Sequence, residues 1–264
     1  MSVALFMHYV RLRMRERMEY RGAFLLGLGS QMLGYAASYL VIWLTLQRFE
    51  TIGGWNWPEM AFLYSLNVLT YALGAAFTYS QMYGLEEMVK RGTFDAFLIR
   101  PLNPYLSLMA QAFNVGYVGH VLLSGGILVW AVVRLDIAWT PLTIAFLAGS
   151  LLSGMCIQAA GLTLIGAWTF TQVRSDVLFW FYGSLRQFQD YPISIFATAI
   201  QVVLTTAIPL AFTSFYPAMI LLGKDTGALP RWIGWLSPLV GPPVLWGAYR
   251  LWMRGVNRYQ GAGA

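Results

Sequence analysis

The sequence predicts an all-α membrane protein of six transmembrane helices in one bundle, and three observations predict it. Of 264 residues, 58% are hydrophobic and only 11% charged, where a soluble domain carries roughly 25% charged residues. Cutting the chain at its charges leaves apolar runs at 22–47, 60–85, 101–133, 137–173, 191–223 and 232–249. Each reaches the ~18 residues needed to cross a hydrocarbon core about 30 Å thick. Proline then marks the starts of four runs, at Pro58, Pro104, Pro141 and Pro192, where the first helical turn leaves its amides unpaired and the fixed φ of proline suits it. These runs fill most of the chain and leave no room for a soluble catalytic domain of ~100 residues, so residues 1–264 are expected to form a single domain.

Taken in order, residues 1–21 precede the first run. Val3, Phe6, Met7, Val10, Met14 and Met18 recur at helical spacing opposite His8, Arg11, Arg15 and Glu19, the pattern of a helix lying along the membrane surface. No cleavable signal is expected, because the first apolar run is longer than a signal h-region and follows an Arg-rich segment. Helix two opens at Pro58 with Glu59 at the positive end of its dipole; Asn103 and Thr140 can cap helices three and four. Helix five is expected to begin at Pro192. The stretch 215–232, with its breakers and cations before the last helix, is expected to enter the outer leaflet and turn back rather than cross.

Charge sets orientation. With the N-terminus inside, thirteen of the 17 Lys and Arg fall in cytoplasmic segments, among them Arg174 and Arg186, and only Arg48, Arg134, Lys224 and Arg231 lie outside. An even number of crossings returns the C-terminus to the cytoplasm. The net charge of +6 is thereby explained by topology and anionic lipid, with no nucleic-acid partner.

The loop between helices two and three, residues 83–104, is the most unusual stretch. Glu86 with Lys90, and Glu87 with Arg91, are i,i+4 pairs in the favourable order, which continues helix two past the membrane face until Gly92 stops it. "TFDAFLI" then forms a short amphipathic turn with Phe94, Phe97 and Leu98 on one side and Asp95 exposed, and Arg100 ends it because a residue before proline avoids the α region. Two readings of the apolar members stand: they dip into lipid headgroups, or they form a docking knob for a cytoplasmic partner.

Chemistry is nearly absent. His8 and His120 are far apart and make no metal cluster; no nucleophile–base pair can be assembled; and Gly223-Lys224 is followed by Asp and lacks a phosphate-loop glycine. Every Asp and Glu falls at a run boundary or in a loop, which argues against an ion-coupled carrier. His120 alone lies deep. It reads as a neutral imidazole bonded to a neighbouring helix rather than as a substrate or proton contact, since a titrating group achieves little without a partner. Cys156 has no second cysteine to pair with. Small residues at Gly34/Ser38, Gly74/Thr78 and Gly149/Ser153 permit close helix approach, either within the bundle or to a second chain.

The loop "RGTFDAFLIRPLNP", the "DYPISIF" at the expected start of helix five, the "IPLAFTSFYPAMILLG" at its end and the terminal "RYQGAG" together resemble the ABC-2 type permeases, in particular the short-loop branch found as unequal pairs beside a separate ATPase. The resemblance spans nearly the whole chain and rests on the order of short motifs. It implies an ABC-2 (type V) exporter-like fold, with Glu86, Glu87, Lys90, Arg91, Phe94, Asp95, Phe97 and Arg100 as the surface that couples to an ATPase, and Phe215, Tyr216 and Pro217 as an outer gate. It further implies ATP and magnesium bound by that partner, present in two copies, rather than by this chain. A second, non-identical permease and export of a hydrophobic or amphiphilic compound (drug, lipid or secondary metabolite) across a bacterial inner membrane complete the expectation. A non-transporting scaffold or sensor subunit that anchors a cytoplasmic partner is the alternative.

Overall fold

The computed structural model describes residues 21–111, 114, 116–171, 174–224 and 227–259. The amphipathic helix expected at 1–21 and most of the terminal "RYQGAG" lie outside the described residues. The structure is helical: α1 (Arg21–Phe49), α2 (Trp57–Lys90), α3 (Asp95–Leu98), α4 (Pro104–Gln111), α5 (Tyr117–Arg134), α6 (Pro141–Thr169), α7 (Asp176–Arg186), α8 (Thr198–Thr206), α9 (Phe215–Leu221) and α10 (Ser237–Arg258). Short 3₁₀ turns at Gln187–Asp190, Ile193–Ile195, Leu210–Thr213 and Arg231–Leu236 link the last four. Among the described residues α2, α5 and α6 are long and apolar enough to cross a membrane. α1, of 29 residues, and α10, of 22, also exceed the about 20 residues a crossing needs.

The predicted starts hold where proline meets a capping side chain. Asn56 accepts from the Glu59 amide and Glu59 returns the bond to the Asn56 amide, closing a capping box ahead of α2. Thr140 and Thr143 do the same for α6, and Asn103 accepts from the Leu106 amide at the start of α4. α2 is the central post: 83% of its most apolar stretch is buried inside the protein, against 39% for α6 and 28% for α5. Close packing at α2–α6 depends on Gly74, where a Cβ would stand 2.7 Å from the Met155 carbonyl. α10 runs along α6, with the Gly241 amide donating to Ser153 Oγ at 2.7 Å. Gly74 and Gly149 therefore serve packing within this chain; Gly149 faces Pro238.

Two predicted helices are broken. The run 101–133 divides into α4 and α5, and between them the Asn114 amide donates to the Ala76 carbonyl of α2 while its side-chain oxygen accepts from the Gly116 amide. An Asn-Val-Gly sequence favours such a turn over a helix. The run 191–223 differs more. Pro192 precedes only a 3₁₀ turn, and no single long helix follows, because Pro192, Pro209 and Pro217 each remove an amide donor within the run.

Residues 176–195, which the charges Arg186 and Asp190 had cut from the apolar runs, instead traverse the bundle. They start at Ser175, bonded to Glu86 at one end of α2, and finish at Ile195, packed on Gly53 in the turn before the other end. At ~1.5 Å per α-helical and ~2 Å per 3₁₀ residue the path is about 30 Å long. From there α8 turns inward, the Leu210–Thr213 turn sits against Gly154 at mid-length of α6, and α9 returns to Trp55. The inward dip is thus built from 198–221, upstream of most of the expected 215–232.

Candidate functional site

The predicted residues gather at three levels of the bundle. At the first end, α2 runs on to Lys90 as the i,i+4 pairs predict: Lys90 Nζ lies 2.5 Å from Glu86 and Arg91 is paired with Glu87. Gly92 ends the helix with φ +68°, a conformation that favours glycine. Glu86 is nevertheless not a free surface group. It is buried, and its second oxygen accepts from both the amide and the hydroxyl of Ser175 at 2.7 Å, so it caps the chain entering α7.

The aromatic pair departs from the expected one-sided knob. Phe94 is fully buried against Phe97, Phe170, Trp252 and Tyr259, and Phe97 is buried with it. Leu98 points the other way, and together with Ile99, Leu102 and Leu106 it is exposed; Ile99 is 84% exposed. The physical reason is that α6 and α10 end in aromatic residues at this level, which offer Phe94 a drier site than headgroups. The tie of Asn103 Nδ2 to Tyr249 of α10 at 2.7 Å holds the loop in place. Asp95 is half-buried and Arg100 exposed, so the outward surface is an apolar ledge flanked by Glu87, Arg91 and Arg100.

At the opposite end, Phe215 and Tyr216 are each 1% exposed and Pro217 is buried. Phe215 meets Trp55, Tyr216 packs on Phe212, and the Tyr216 hydroxyl pairs with Thr205 at 3.0 Å. Lys224 closes this end: its ammonium is 2.9 Å from Glu59, donates to the Gly54 carbonyl and lies over Trp55. The expected inner cations Lys90, Arg91 and Arg174 cluster around the Phe94 end, and Lys224 and Arg231 at this one.

Arg186 does not fit that sorting. It was assigned to a cytoplasmic loop, yet its guanidinium lies 3.2 Å from the centroid of the Tyr71 ring, near the middle of α2. Asp190 likewise accepts from Asn67 Nδ2 at 2.9 Å within the bundle, which corrects the expectation that all carboxylates stay at run boundaries. His120 is buried between Tyr35 and Tyr117, its Nδ1 without a hydrogen-bond partner. Nδ1 therefore makes no bond to a neighbouring helix. His120 lines a cavity of about 570 Å³ between α1, α2 and α5, with Gln31, Tyr35, Tyr71, Asn114 and Tyr117. The break between α4 and α5 is what brings Asn114 into its wall. Gly34 and Ser38 line it as well, so that small-residue pair makes room rather than a close contact. The sequence signals for this site were Arg186 and the Asn-Val-Gly breaker.

Among the described residues no group of three metal-ligating side chains occurs. Compared with known proteins, residues 32–263 match a family model described as ABC-2 family transporter protein. No curated protein and no solved structure gives a match.

Proposed function

This chain belongs to the ABC-2 transporter family, and from that premise we propose that it is the permease half of an ATP-driven exporter for a hydrophobic or amphiphilic compound. The observation that carries the proposal is the family match over 32–263, and the loop after α2 supports it. That loop presents Leu98, Ile99 and Leu102 to the outside at one end of the bundle, where none of the described residues covers them. In this reading the ledge, with Glu87, Arg91, Asp95 and Arg100 around it, docks into an ATPase subunit, one copy for each permease. Glu86 and Phe94 carry the motion inward: Glu86 holds the start of α7 and Phe94 holds the ends of α6 and α10.

The six crossings in this reading are α1, α2, α4 with α5, α6, residues 176–195, and α10, and both termini are cytoplasmic in a bacterial inner membrane. The plug of Phe215, Tyr216 and Pro217 is the outer gate, and the substrate path runs beside a second, non-identical permease. ATP and magnesium belong to the partner, so this chain contributes the path and not the hydrolysis.

Co-expression with the ATPase and the second permease tests the reading. Native mass spectrometry should show one of each permease with two ATPase copies, and hydrolysis should be absent from the isolated chain. A stable chain that recruits no ATPase sinks the proposal.

A further inference from the structure

We infer that the cavity between α1, α2 and α5 binds the anionic headgroup of an amphiphile, a carboxylate or a phosphate, with Arg186 supplying the opposing charge. The inference deepens the permease reading by naming the class of molecule held inside the bundle, and it rests on that reading only for the step of transport. Four features of the site converge on it.

The first is the balance of charge. Arg186 sits against the cavity wall, over the Tyr71 ring, and its charge acts on Tyr35 and His120, both of which line the space. Among the described residues no carboxylate makes an ion pair with it, and its Nε lacks a hydrogen-bond partner. Asp190, the nearest candidate by sequence, is engaged by Asn67 and lines a separate cavity of about 230 Å³ with Tyr64 and Tyr191. Arg186 bonds to the Tyr35 side chain and feels the Asp190 charge without touching it; a cation without a contact ion pair in a low-dielectric bundle is costly, and a bound anion reduces that cost.

The second is the lining. Among the described residues no Asp or Glu lines the larger cavity, while Gln31, Asn114, His120 and the tyrosine hydroxyls all offer N–H or O–H donors. His120 carries an unpartnered Nδ1 although only 6% of the residue is exposed, so a ligand acceptor would complete its bonding. The third is size: about 570 Å³ falls in the range of small-molecule sites.

The fourth is access. α1 forms one wall and leaves Leu33 and Leu40 exposed on its outward side, so a molecule with an apolar tail can keep the tail in lipid while its head enters the polar space. A cationic amphiphile is disfavoured on the same grounds. It would meet Arg186, no carboxylate among the described lining residues, and a Tyr71 face that the guanidinium already covers.

The test uses the full chain in nanodiscs of phosphatidylcholine and a matched series of pyrene-labelled probes: a C12 carboxylic acid, its phosphate monoester analogue, its methyl ester and its trimethylammonium analogue, each corrected for partitioning into empty nanodiscs. The acid and the phosphate should bind at least tenfold more tightly than the ester and the ammonium. Arg186→Gln should remove at least tenfold of the acid's affinity, and Arg186→Lys should retain most of it. Equal binding across the series, or preference for the ammonium, overturns the inference, as does unchanged acid binding in an Arg186→Gln chain that melts normally. Should Arg186→Gln fail to fold, the probe series on the unaltered chain decides alone.

Phosphatidylglycerol added to the nanodiscs separates the sources. If bilayer lipid fills the site, the acid's apparent affinity falls with its mole fraction and native mass spectrometry retains a bound copy. If the occupant is a transported compound, the acid instead raises hydrolysis in the complex with the ATPase. Loss of charge preference with an intact ATPase complex refutes this inference and leaves the permease reading. Charge-selective binding by a chain that recruits no ATPase does the reverse.

Discussion

The two ends of the bundle are built from the same materials but covered in opposite ways. At one end Phe94, Phe170, Trp252 and Tyr259 stack into a buried knot, and at the other Trp55, Phe212, Phe215 and Tyr216 do the same. Around the first knot the chain leaves an apolar ledge uncovered, Leu98, Ile99 and Leu102, among largely exposed charges. Around the second it closes the surface with Lys224, which reaches Glu59, the Gly54 carbonyl and the Trp55 ring at once. Exposed apolar surface beside exposed charge suits a surface that binds and releases a partner. A knot clasped by a nearly buried ion pair suits a closure. The difference lies in what covers the aromatic residues, not in the aromatic residues themselves.

The largest expected effect breaks the first knot. Phe94→Ala removes a fully buried ring, a change that costs ~3–5 kcal/mol in a packed core. It should lower the melting temperature and detach the loop together with any bound ATPase. Ile99→Asp, at an 84% exposed position, should leave melting unchanged and still lose the ATPase. Were both variants to melt alike and bind alike, the distinction between knot and ledge would be wrong. Melting curves and co-purification read both quantities from one preparation.

Next in size is the link from the ledge inward. Glu86→Gln keeps the shape but weakens the contacts to Ser175 and Lys90; hydrogen bonds to a charged group are worth about 1.5–3 kcal/mol each. The start of α7 should loosen, and with it the path that leads to Arg186. Faster hydrogen exchange at 175–179, with the α6–α10 contact unchanged, is the expected result. Uniform exchange throughout the bundle would show that Glu86 carries general stability rather than that link.

The second end should respond more gently in stability and more clearly in control. Lys224→Met leaves Glu59 with its bond from the Asn56 amide, so about 1–2 kcal/mol is at stake, the order of one charge-assisted contact. Basal hydrolysis by the assembled transporter should rise, as it should in the Phe215→Ala, Tyr216→Ala double variant. Unchanged basal activity in both would mean that this knot is a static floor and not a gate.

How far the sequence revealed these regions depends on which physical signal each uses. Helix starts were legible because Glu59, Asn103 and Thr140 act within one turn of their own proline. The i,i+4 pairs after Met82 were legible for the same local reason. Phe94 was misjudged because its partners, Phe170, Trp252 and Tyr259, come from chain segments far away, and periodicity shows that a side is apolar without showing what covers it. The segment 176–195 was left out of the apolar runs because hydropathy treats Arg186 and Asp190 as boundaries. Tertiary partners, Tyr71 and Asn67, bring both into the bundle, and the three prolines of 191–223 deny that run a continuous helix. The polar cavity depends on the break between α4 and α5, which brings Asn114 into the wall beside His120; read as one unbroken run, 101–133 leaves His120 solitary.

The smallest effect on stability, and the most direct examination of the ledge, comes from its charges. Arg100 is exposed and Asp95 only half-covered, and no ion pair holds either among the described residues. Arg100→Glu and Asp95→Lys should therefore shift folding by no more than about ±0.5 kcal/mol, as surface substitutions do. Contact with the ATPase is a different matter, since a charge left unpaired in a desolvated interface costs ~2–5 kcal/mol. The expected pattern is normal melting with loss of ATPase recovery or of substrate-stimulated hydrolysis. A headgroup-facing ledge predicts the inverse: Ile99→Asp would disturb the bundle's seat in the membrane while both charge reversals left the ATPase in place. Normal recovery of the ATPase in Arg100→Glu, Asp95→Lys and Ile99→Asp together would remove the ledge from the coupling surface and return the loop to the membrane.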